Sequence, residues 1–272
     1  VRAKGNGRVY IVGAGPGEPD LLTLKGKRCL EEADVIVYDY LVNEDVLAHG
    51  RSDAERLRLG KPGSAARLSQ KKINGLLVRR AREGKVVVRL KGGDPFLFSR
   101  GAEEAEALAD AGVPFEVVPG VTSAIAVPSY AGIPLTHRGL ASTVAIVTGH
   151  EDSAKAASGI DWKAVAGMET VVFLMGAGRL SQIVARLVEE GRAPDTPVAV
   201  IEWGTWPRQR TVTGTLRDIR DKAKGTRRPA VIVIGEVVRL RKRLQWFEEH
   251  PESSRESVTA FNFLLDTPTT GR

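Results

Sequence analysis

The chain reads as an α/β protein of two domains, and three observations predict it. Short runs of β-branched residues alternate with amphipathic stretches along most of the chain, the pattern of strands and helices in α/β architecture. At 272 residues the chain is long for one domain. Near Pro119 the texture changes to "VVPGVTSAIAVPSYAGIPLTHRG", rich in Gly, Pro, Ser and small side chains, and the alternation resumes at Thr143. The boundary falls there, dividing the chain into 1–118, 119–246 and a tail over 247–272.

Strands are expected at Val9–Val12, Val35–Tyr38, Val86–Leu90, Phe115–Val118, Val144–Thr148, Val171–Met175, Val198–Glu202 and Val231–Ile234. A helical pattern follows the first strand and its glycine loop. "SQKKINGLLVRRAREG" predicts a helix with Ser69 as N-cap and Gly84 as stop, and "GAEEAEALADAG" another that ends at Gly112. "RLSQIVARLVEEG" predicts a third, ending at Gly191. The stretch after Pro119 fits a buried small-residue helix, a hinge, or both. Beyond Trp246, "FEEHPESSRES" is polar and linker-like, whereas Phe261, Phe263, Leu264 and Leu265 form an apolar cluster expected to dock on the body or on a neighbouring subunit.

Hydrophobic residues make up 42% of the chain, ample for a core, and no run approaches the ~20 apolar residues of a membrane span. The N-terminal "VRAKGNGR" has no apolar segment behind it, unlike a secretory signal. The single cysteine, Cys29, excludes an internal disulfide framework and fits a reducing cytoplasm. Four scattered histidines offer no ligand cluster, so no metal is expected. The net charge of +7 suits nucleic acid, an anionic membrane or a polyanionic small molecule. Zinc-finger spacing, an RNP signature and a basic tail interleaved with aromatics are all missing, which disfavours nucleic acid.

Two glycine motifs stand out. "VYIVGAGPGEPDLLTLKG" resembles the opening of a dinucleotide site, with Asp39 about 20 residues on, where a ribose would be held. The fingerprint G-x-G-x-x-G fails, however, because Glu18 stands at its third glycine. Pro16 and Pro19 also remove two N–H donors that a pyrophosphate needs. A tight strand-to-helix turn is the better reading. The second motif, "VVVRLKGGDPFLFSRGAEE", runs a strand into Gly92 and Gly93, where backbone can approach a ligand closely. Asp94 then either offers acceptor oxygens to ligand hydroxyls and an ammonium, or builds an Asp–Pro turn. Phe96 and Phe98 read, by default, as core.

The ordered set "GAGPGEPDLLTLKG", "VIVYDYLV", "RLKGGDPFLFSRGAEE", "PGVTSAIAVPSYAGIPLTHR", "VTGHE", "VVFLMG", "VIEWGTWPRQRTVTGTL" and "PAVIVIGEVV" resembles the tetrapyrrole methylases, and among them the C-methyltransferases of uroporphyrinogen III. The likeness is collinear from Arg8 to Trp246. It implies two α/β domains around a cleft that holds the active site, S-adenosylmethionine as co-substrate with S-adenosylhomocysteine as product, and a cytoplasmic homodimer with no membrane or nucleic-acid partner. It implies two methyl transfers to uroporphyrinogen III, through precorrin-1 to precorrin-2, feeding sirohaem and cobalamin. The length suggests the stand-alone form, without the dehydrogenase–chelatase region of some siroheme synthases.

Residue by residue, the resemblance puts Pro16, Gly92, Gly93, Asp94, Leu97, Thr122, Ser123, Met175, Gly204 and Ala230 at the co-substrate. Asp39 takes the place of the proton acceptor and Lys61 that of the donor. The lysine loop departs from the family form at Pro62, where a basic residue is common. Leu41, Phe98, His137 and Arg138 fall on the substrate side, and Arg208 and Arg210 are further cations in a matched motif.

The residue types suit the chemistry. Methyl transfer from a sulfonium to carbon disperses charge, so alignment and exclusion of water matter most. Leu97, Phe98 and Met175 are fitting walls, though such residues near strand ends are usually core. A carboxylate such as Asp39 can take the proton that leaves the methylated ring. Without the resemblance, helix capping would be the plainer role for Asp39. A polycarboxylate substrate also gives the basic charge a purpose. Two alternatives are a related methylase acting on a later precorrin, cobalt-precorrin or protein, and a polyanion-binding module without catalysis.

Overall fold

The computed structural model describes residues 7–60, 68–150 and 158–248. Lys61, expected as proton donor, and the apolar cluster of the tail lie outside the described residues.

The first half is a five-stranded sheet in which every pair runs parallel. β1 (Arg8–Gly13), β2 (Val35–Asp39), β3 (Glu55–Leu59), β4 (Val86–Lys91) and β5 (Phe115–Val118) stand in the order β3-β2-β4-β1-β5. β1, β2 and β4 are near-continuous apolar runs because helices cover both faces. α1 (Leu24–Glu32), capped by the Thr23 hydroxyl, closes one face around Leu30, Ile36 and Val88. α2 (Gln70–Arg82) starts at Ser69, whose hydroxyl accepts from the Lys72 N–H, and packs with α3 (Gly101–Asp110) on the other face around Leu77, Val87 and Leu108.

The second half is a mixed sheet. β6 (Val144–Thr148) and β7 (Thr170–Leu174) are parallel, while β8 (Pro197–Glu202), β9 (Arg210–Thr215) and β10 (Ala230–Ile234) join them antiparallel in the order β6-β7-β10-β8-β9. α5 (Trp162–Gly167), α6 (Leu180–Glu189) and α7 (Ile219–Lys222) lie over one face, with Phe173, Ile183 and Ile232 in its core. The small-residue stretch forms α4 (Ser123–Tyr130), which packs on the opposite face through Ala124 and Val127. The chain ends its described course in α8 (Arg241–Leu244) and a segment tied back to α4. There Trp246 Nε1 donates to the Ser129 carbonyl, and buried Phe247 meets Tyr130 edge to face. Among the described residues no helix is long and apolar enough to cross a membrane.

Two strands depart from the apolar-run pattern, and both are sheet edges. β3, "ERLRL", and β9, "RTVTGT", alternate polar and apolar residues because an edge strand keeps contact with water. The expected strand Val171–Met175 stops one residue early, and Met175 leaves it with a left-handed φ of +57°.

Cys29 is buried on α1, and burial pushes its thiol up to about 11, with nearby Glu116 adding to the effect. At pH 8 only about one thiol in a thousand is then ionised. Iodoacetamide should leave the native chain unmodified over the time in which urea-unfolded chain is fully alkylated; mass spectrometry checks this. The glycines allow a second test. A Cβ on Gly120 would meet the Gly93 carbonyl and lie 2.6 Å from Gly13 Cα, so Gly120→Ala should cost about 1–3 kcal/mol. Gly75, inside α2, has nothing within 4 Å of its Cβ direction, and Gly75→Ala should add about 0.5–1 kcal/mol. Urea unfolding of the two variants measures both.

Candidate active site

Parallel strands all end at one edge of their sheet, and α/β proteins place ligands there. Gly13, Asp39 and Lys91 finish β1, β2 and β4 at that edge. The two glycine motifs are zipped together beyond it. Ala14 N donates to the Lys91 carbonyl (2.7 Å), and Gly15 and Gly93 exchange both backbone hydrogen bonds (3.3 and 2.7 Å). A Cβ on Gly13 would lie 2.5 Å from Gly120 Cα and 2.6 Å from the Gly93 carbonyl oxygen. Only glycine permits that approach. The N-terminal loop is therefore a tight turn braced by a second loop, and half-buried Pro16 sits within it.

In the second motif Gly92 and Gly93 face open space. The nearest atom to a Cβ at Gly92 would be Leu41 Cβ at 3.9 Å, and at Gly93 (φ +67°) Ser123 N and Thr122 Cα at 3.8 Å. This brings Leu41, Gly92, Gly93, Thr122 and Ser123 to one place from three stretches of chain. Asp94 builds the turn: Oδ1 accepts from Phe96 N (2.8 Å) and Oδ2 from Gly120 N (3.0 Å). Each oxygen retains a further lone pair for a ligand. Leu97 packs into the core around Ala124 and Val127. Phe96 and Phe98 correct the default reading as core, since both are exposed. The turn that buries Leu97 points its aromatic neighbours outward.

The second half contributes its own strand ends. Thr122 caps α4, its hydroxyl accepting from Ala124 N (3.2 Å). Met175 follows β7 and is 51% exposed, an unusual position for a methionine in a packed α/β domain. Gly204 follows β8 and is buried against Val127, which a Cβ would strike. Thr205 Oγ1 accepts from Glu18 N (3.0 Å), joining that turn to the first glycine loop. Half-buried Ala230 opens β10 opposite Glu202. His137 and Arg138 lie exposed on a turn closed by His137 N and the Ala141 carbonyl (3.0 Å). Arg208 stacks on Trp203, its Cζ 3.5 Å from the ring centroid.

Backbone strain collects around these strand ends. Phe98, Arg100, Met175, Trp203 and Thr205 are the non-glycine residues with positive φ among the described residues, at +51°, +62°, +57°, +47° and +69°. Each such residue costs on the order of 1–3 kcal/mol and persists only where surrounding packing enforces it. Trp203 and Thr205 flank the expected site residue Gly204, and Met175 and Phe98 are themselves such residues.

Asp39 does not cap a helix; Asn43 caps the short turn that follows. Instead, Asp39 Oδ1 accepts from Arg89 Nη2 (2.5 Å), and among the described residues Oδ2 has no hydrogen-bond partner. Arg89 is buried in the middle of β4 and donates through Nε to Glu104 Oε1 on α3 (3.0 Å). Lys91 Nζ (3.0 Å) and Gln70 Nε2 (3.2 Å) converge on the same oxygen. Burial opposes the charge on Arg89, but Asp39 and Glu104 more than offset it and hold the guanidinium above its ordinary pKa. For Lys91, burial and then repulsion from Arg89 push the ammonium below its ordinary pKa, against the pull of Glu104 and Asp39. Sequence reasoning missed this cluster. Its signal was two cations at i and i+2 inside an apolar strand, which require buried anionic partners.

Residues 8–220 match the tetrapyrrole (corrin/porphyrin) methylases. The chain belongs to that family. It is 51% identical over 237 residues to an S-adenosyl-L-methionine-dependent uroporphyrinogen III methyltransferase of Methanosarcina barkeri, covering 86% of this chain and 93% of that one. It is 48% identical over 267 residues to a siroheme synthase of Neisseria meningitidis, covering 98% of this chain and 54% of that one. The chain thus spans about half the length of the siroheme synthase. Its fold superposes with a TM-score of 0.74 on the uroporphyrin-III C-methyltransferase of Thermus thermophilus solved with S-adenosylhomocysteine, at 45% identity, covering 86% of this chain and all of that one. This is the tetrapyrrole methylase fold, built of two α/β subdomains. Among the described residues no group of three or more His, Cys, Asp or Glu could hold a metal ion.

Asp94 makes a stability prediction possible. Its carboxylate carries two backbone bonds, one of them from Gly120 at the start of the link to α4. Asp94→Ala should lower the unfolding free energy by about 1–3 kcal/mol. Asp94→Asn, which keeps one oxygen for Phe96 N, should fall between it and the parent. Urea midpoints at an unchanged m-value provide the measurement.

Proposed function

We propose that the chain transfers methyl groups from S-adenosylmethionine to carbon atoms of uroporphyrinogen III, twice, through precorrin-1 to precorrin-2. The observation that carries this reading is the meeting of Gly92, Gly93, Thr122 and Ser123 around open backbone, close to the strand end that bears Asp39. The relative from Methanosarcina barkeri is named for that co-substrate and substrate, which supports the choice.

The residues present fit the co-substrate. Gly92 and Gly93 leave a cradle that any Cβ would begin to fill, the backbone of Thr122 and Ser123 stands beside it, and Asp94 follows it directly in the chain. Exposed Met175 and Phe98 and half-buried Leu97 supply the apolar and soft surface that a thioether or an adenine ring favours. Pro16, Gly204 and Ala230 complete the proposed set. Bound there, S-adenosylmethionine supplies a methyl group activated as a sulfonium.

The chain's own residues have three tasks. The glycine loops and the α4 entry hold two reactants in line, converting an encounter into an intramolecular event. Leu97, Phe98 and Met175 exclude water, because a reaction that disperses charge gains nothing from a polar cage. Asp39 accepts, at Oδ2, the proton that the macrocycle loses as it rearranges after methylation, while Arg89 holds Oδ1. His137, Arg138 and Leu41 receive the substrate, the first two as donors to its carboxylates. Lys61 is assigned as the proton donor by resemblance. The homodimer belongs to this proposal and is checked by sedimentation.

Incubation with S-adenosylmethionine and enzymatically generated uroporphyrinogen III should yield a product heavier by two methyl groups in the mass spectrum. An unmodified substrate, with methylation of a later precorrin instead, would reassign the chain within the family. Asp39→Asn should bind S-adenosylhomocysteine as the parent does and transfer methyl groups about 10²-fold more slowly. A parental single-turnover rate would remove Asp39 from catalysis.

A further inference from the structure

We infer that Glu104, on α3 and without exposure of its own, positions the Asp39 carboxylate through Arg89. The inference rests on the reading of Asp39 as the proton acceptor. It concerns a residue that touches neither reactant.

The geometry is a chain of three groups. Glu104 is fully buried, Arg89 is 2% exposed, and only Asp39, about a third exposed, reaches the strand edge. Arg89 uses different nitrogens for its two carboxylates, Nε for Glu104 and Nη2 for Asp39. Its Nη1 is fixed by the Leu90 carbonyl (3.1 Å) and the Val37 carbonyl (3.4 Å), so the plane of the guanidinium is determined by backbone. Glu104 is fixed in turn by Lys91 from β4 and Gln70 from α2. The orientation of Asp39 is thus referred to two strands and two helices. A flexible loop carboxylate would lack that reference.

Charge leads to the same assignment. The groups facing Arg89 are Glu104 from α3, Asp39 from β2 and Lys91 on its own strand, with the neutral Gln70 amide from α2. Two cations meet two carboxylates. Glu104 binds Lys91, and this leaves one arm of Arg89 for Asp39. With Glu104 neutral, Arg89 and Lys91 would share a single anion, and Asp39 would be drawn inward from the edge. Stability alone does not require such a cluster, since apolar residues of similar volume often serve a core as well or better. Glu104 Oε2 is moreover buried without a hydrogen-bond partner, a cost that the fold retains.

Three variants of the full chain test the inference beside Asp39→Asn. Glu104→Gln removes the charge. Arg89→Lys keeps it but replaces the planar fork, whose separate nitrogens reach the two carboxylates, with a single ammonium. The pair Glu104→Gln with Lys91→Met keeps the buried charges balanced, and it decides the matter should Glu104→Gln fold poorly. Each is measured for melting, S-adenosylhomocysteine affinity, KM for uroporphyrinogen III and single-turnover rate per folded molecule. The rate is expected to fall about 10²-fold, the scale of a misplacement near 1 Å, with affinity and KM near parental values. In the Asp39→Asn background the same substitutions should change the rate less than about twofold, because their effect passes through Asp39. A parental rate per folded molecule, whatever the melting temperature, would overturn the inference. So would full additivity with Asp39→Asn. A parental rate in Asp39→Asn itself would instead overturn the reading on which the inference rests.

Discussion

The site depends on three backbones that touch where no side chain fits. Gly13 ends β1, Gly93 turns the loop after β4, and Gly120 leads into α4, and at Gly13 a Cβ would strike both of the others. Each belongs to a different stretch of sequence. Their contact sets the distance between the first sheet and the helix that covers the second. Backbone contacts of this kind leave no rotamers to relax through, so the spacing is rigid. Asp94 reinforces it by binding Gly120 N from the β4 loop, and Gly204 repeats the device where the turn after β8 closes on Val127. α4 is held from both sides. Its N-terminal Thr122 and Ser123 are consequently delivered to the open backbone of Gly92 and Gly93.

Strain and buried charge then concentrate around that junction. The left-handed residues sit in the loops that leave β4, β7 and β8, and these loops supply Phe98 and Met175. Exposed apolar side chains in an otherwise well-packed chain are what a water-excluding methyl transfer uses. Asp39 is anchored through Arg89 to the α2/α3 face of the first sheet. The two halves of the proposed chemistry, alignment of reactants and handling of the proton, meet at Lys91, whose carbonyl binds Ala14 N and whose Nζ binds Glu104.

The sequence and the structure differ in instructive ways. Central strands were readable because both faces are buried and the runs are continuous in Val, Ile and Leu. Edge strands β3 and β9 were obscured because water on one side lets charged and polar residues alternate with apolar ones. Pro16, Glu18 and Pro19 were enough to reject a pyrophosphate loop, and the turn found there agrees. The motif alone admits a ligand role or a turn role for Asp94; its two backbone bonds establish the turn and leave lone pairs over. Phe96 and Phe98 misled because aromatic residues are usually core, and only the path of the loop shows them turned out.

The residues alone carry the α/β class, the strands of both sheet interiors, the helix cap at Ser69, and a family resemblance of eight ordered motifs. These are local properties: the periodicity of burial, the φ freedom of glycine and the missing donor of proline act within a few residues of chain. Tertiary structure alone decided which motifs meet. The zipping of Gly15 to Gly93, the contact of Gly13 with Gly120, and the relay from Glu104 through Arg89 to Asp39 join residues that are tens of positions apart. Nothing in the intervening residues specifies such pairs. They follow from the parallel order β3-β2-β4-β1-β5, which inserts β4 between β1 and β2 and so sets Arg89 opposite Val37, within side-chain reach of Asp39, and Lys91 opposite Gly13.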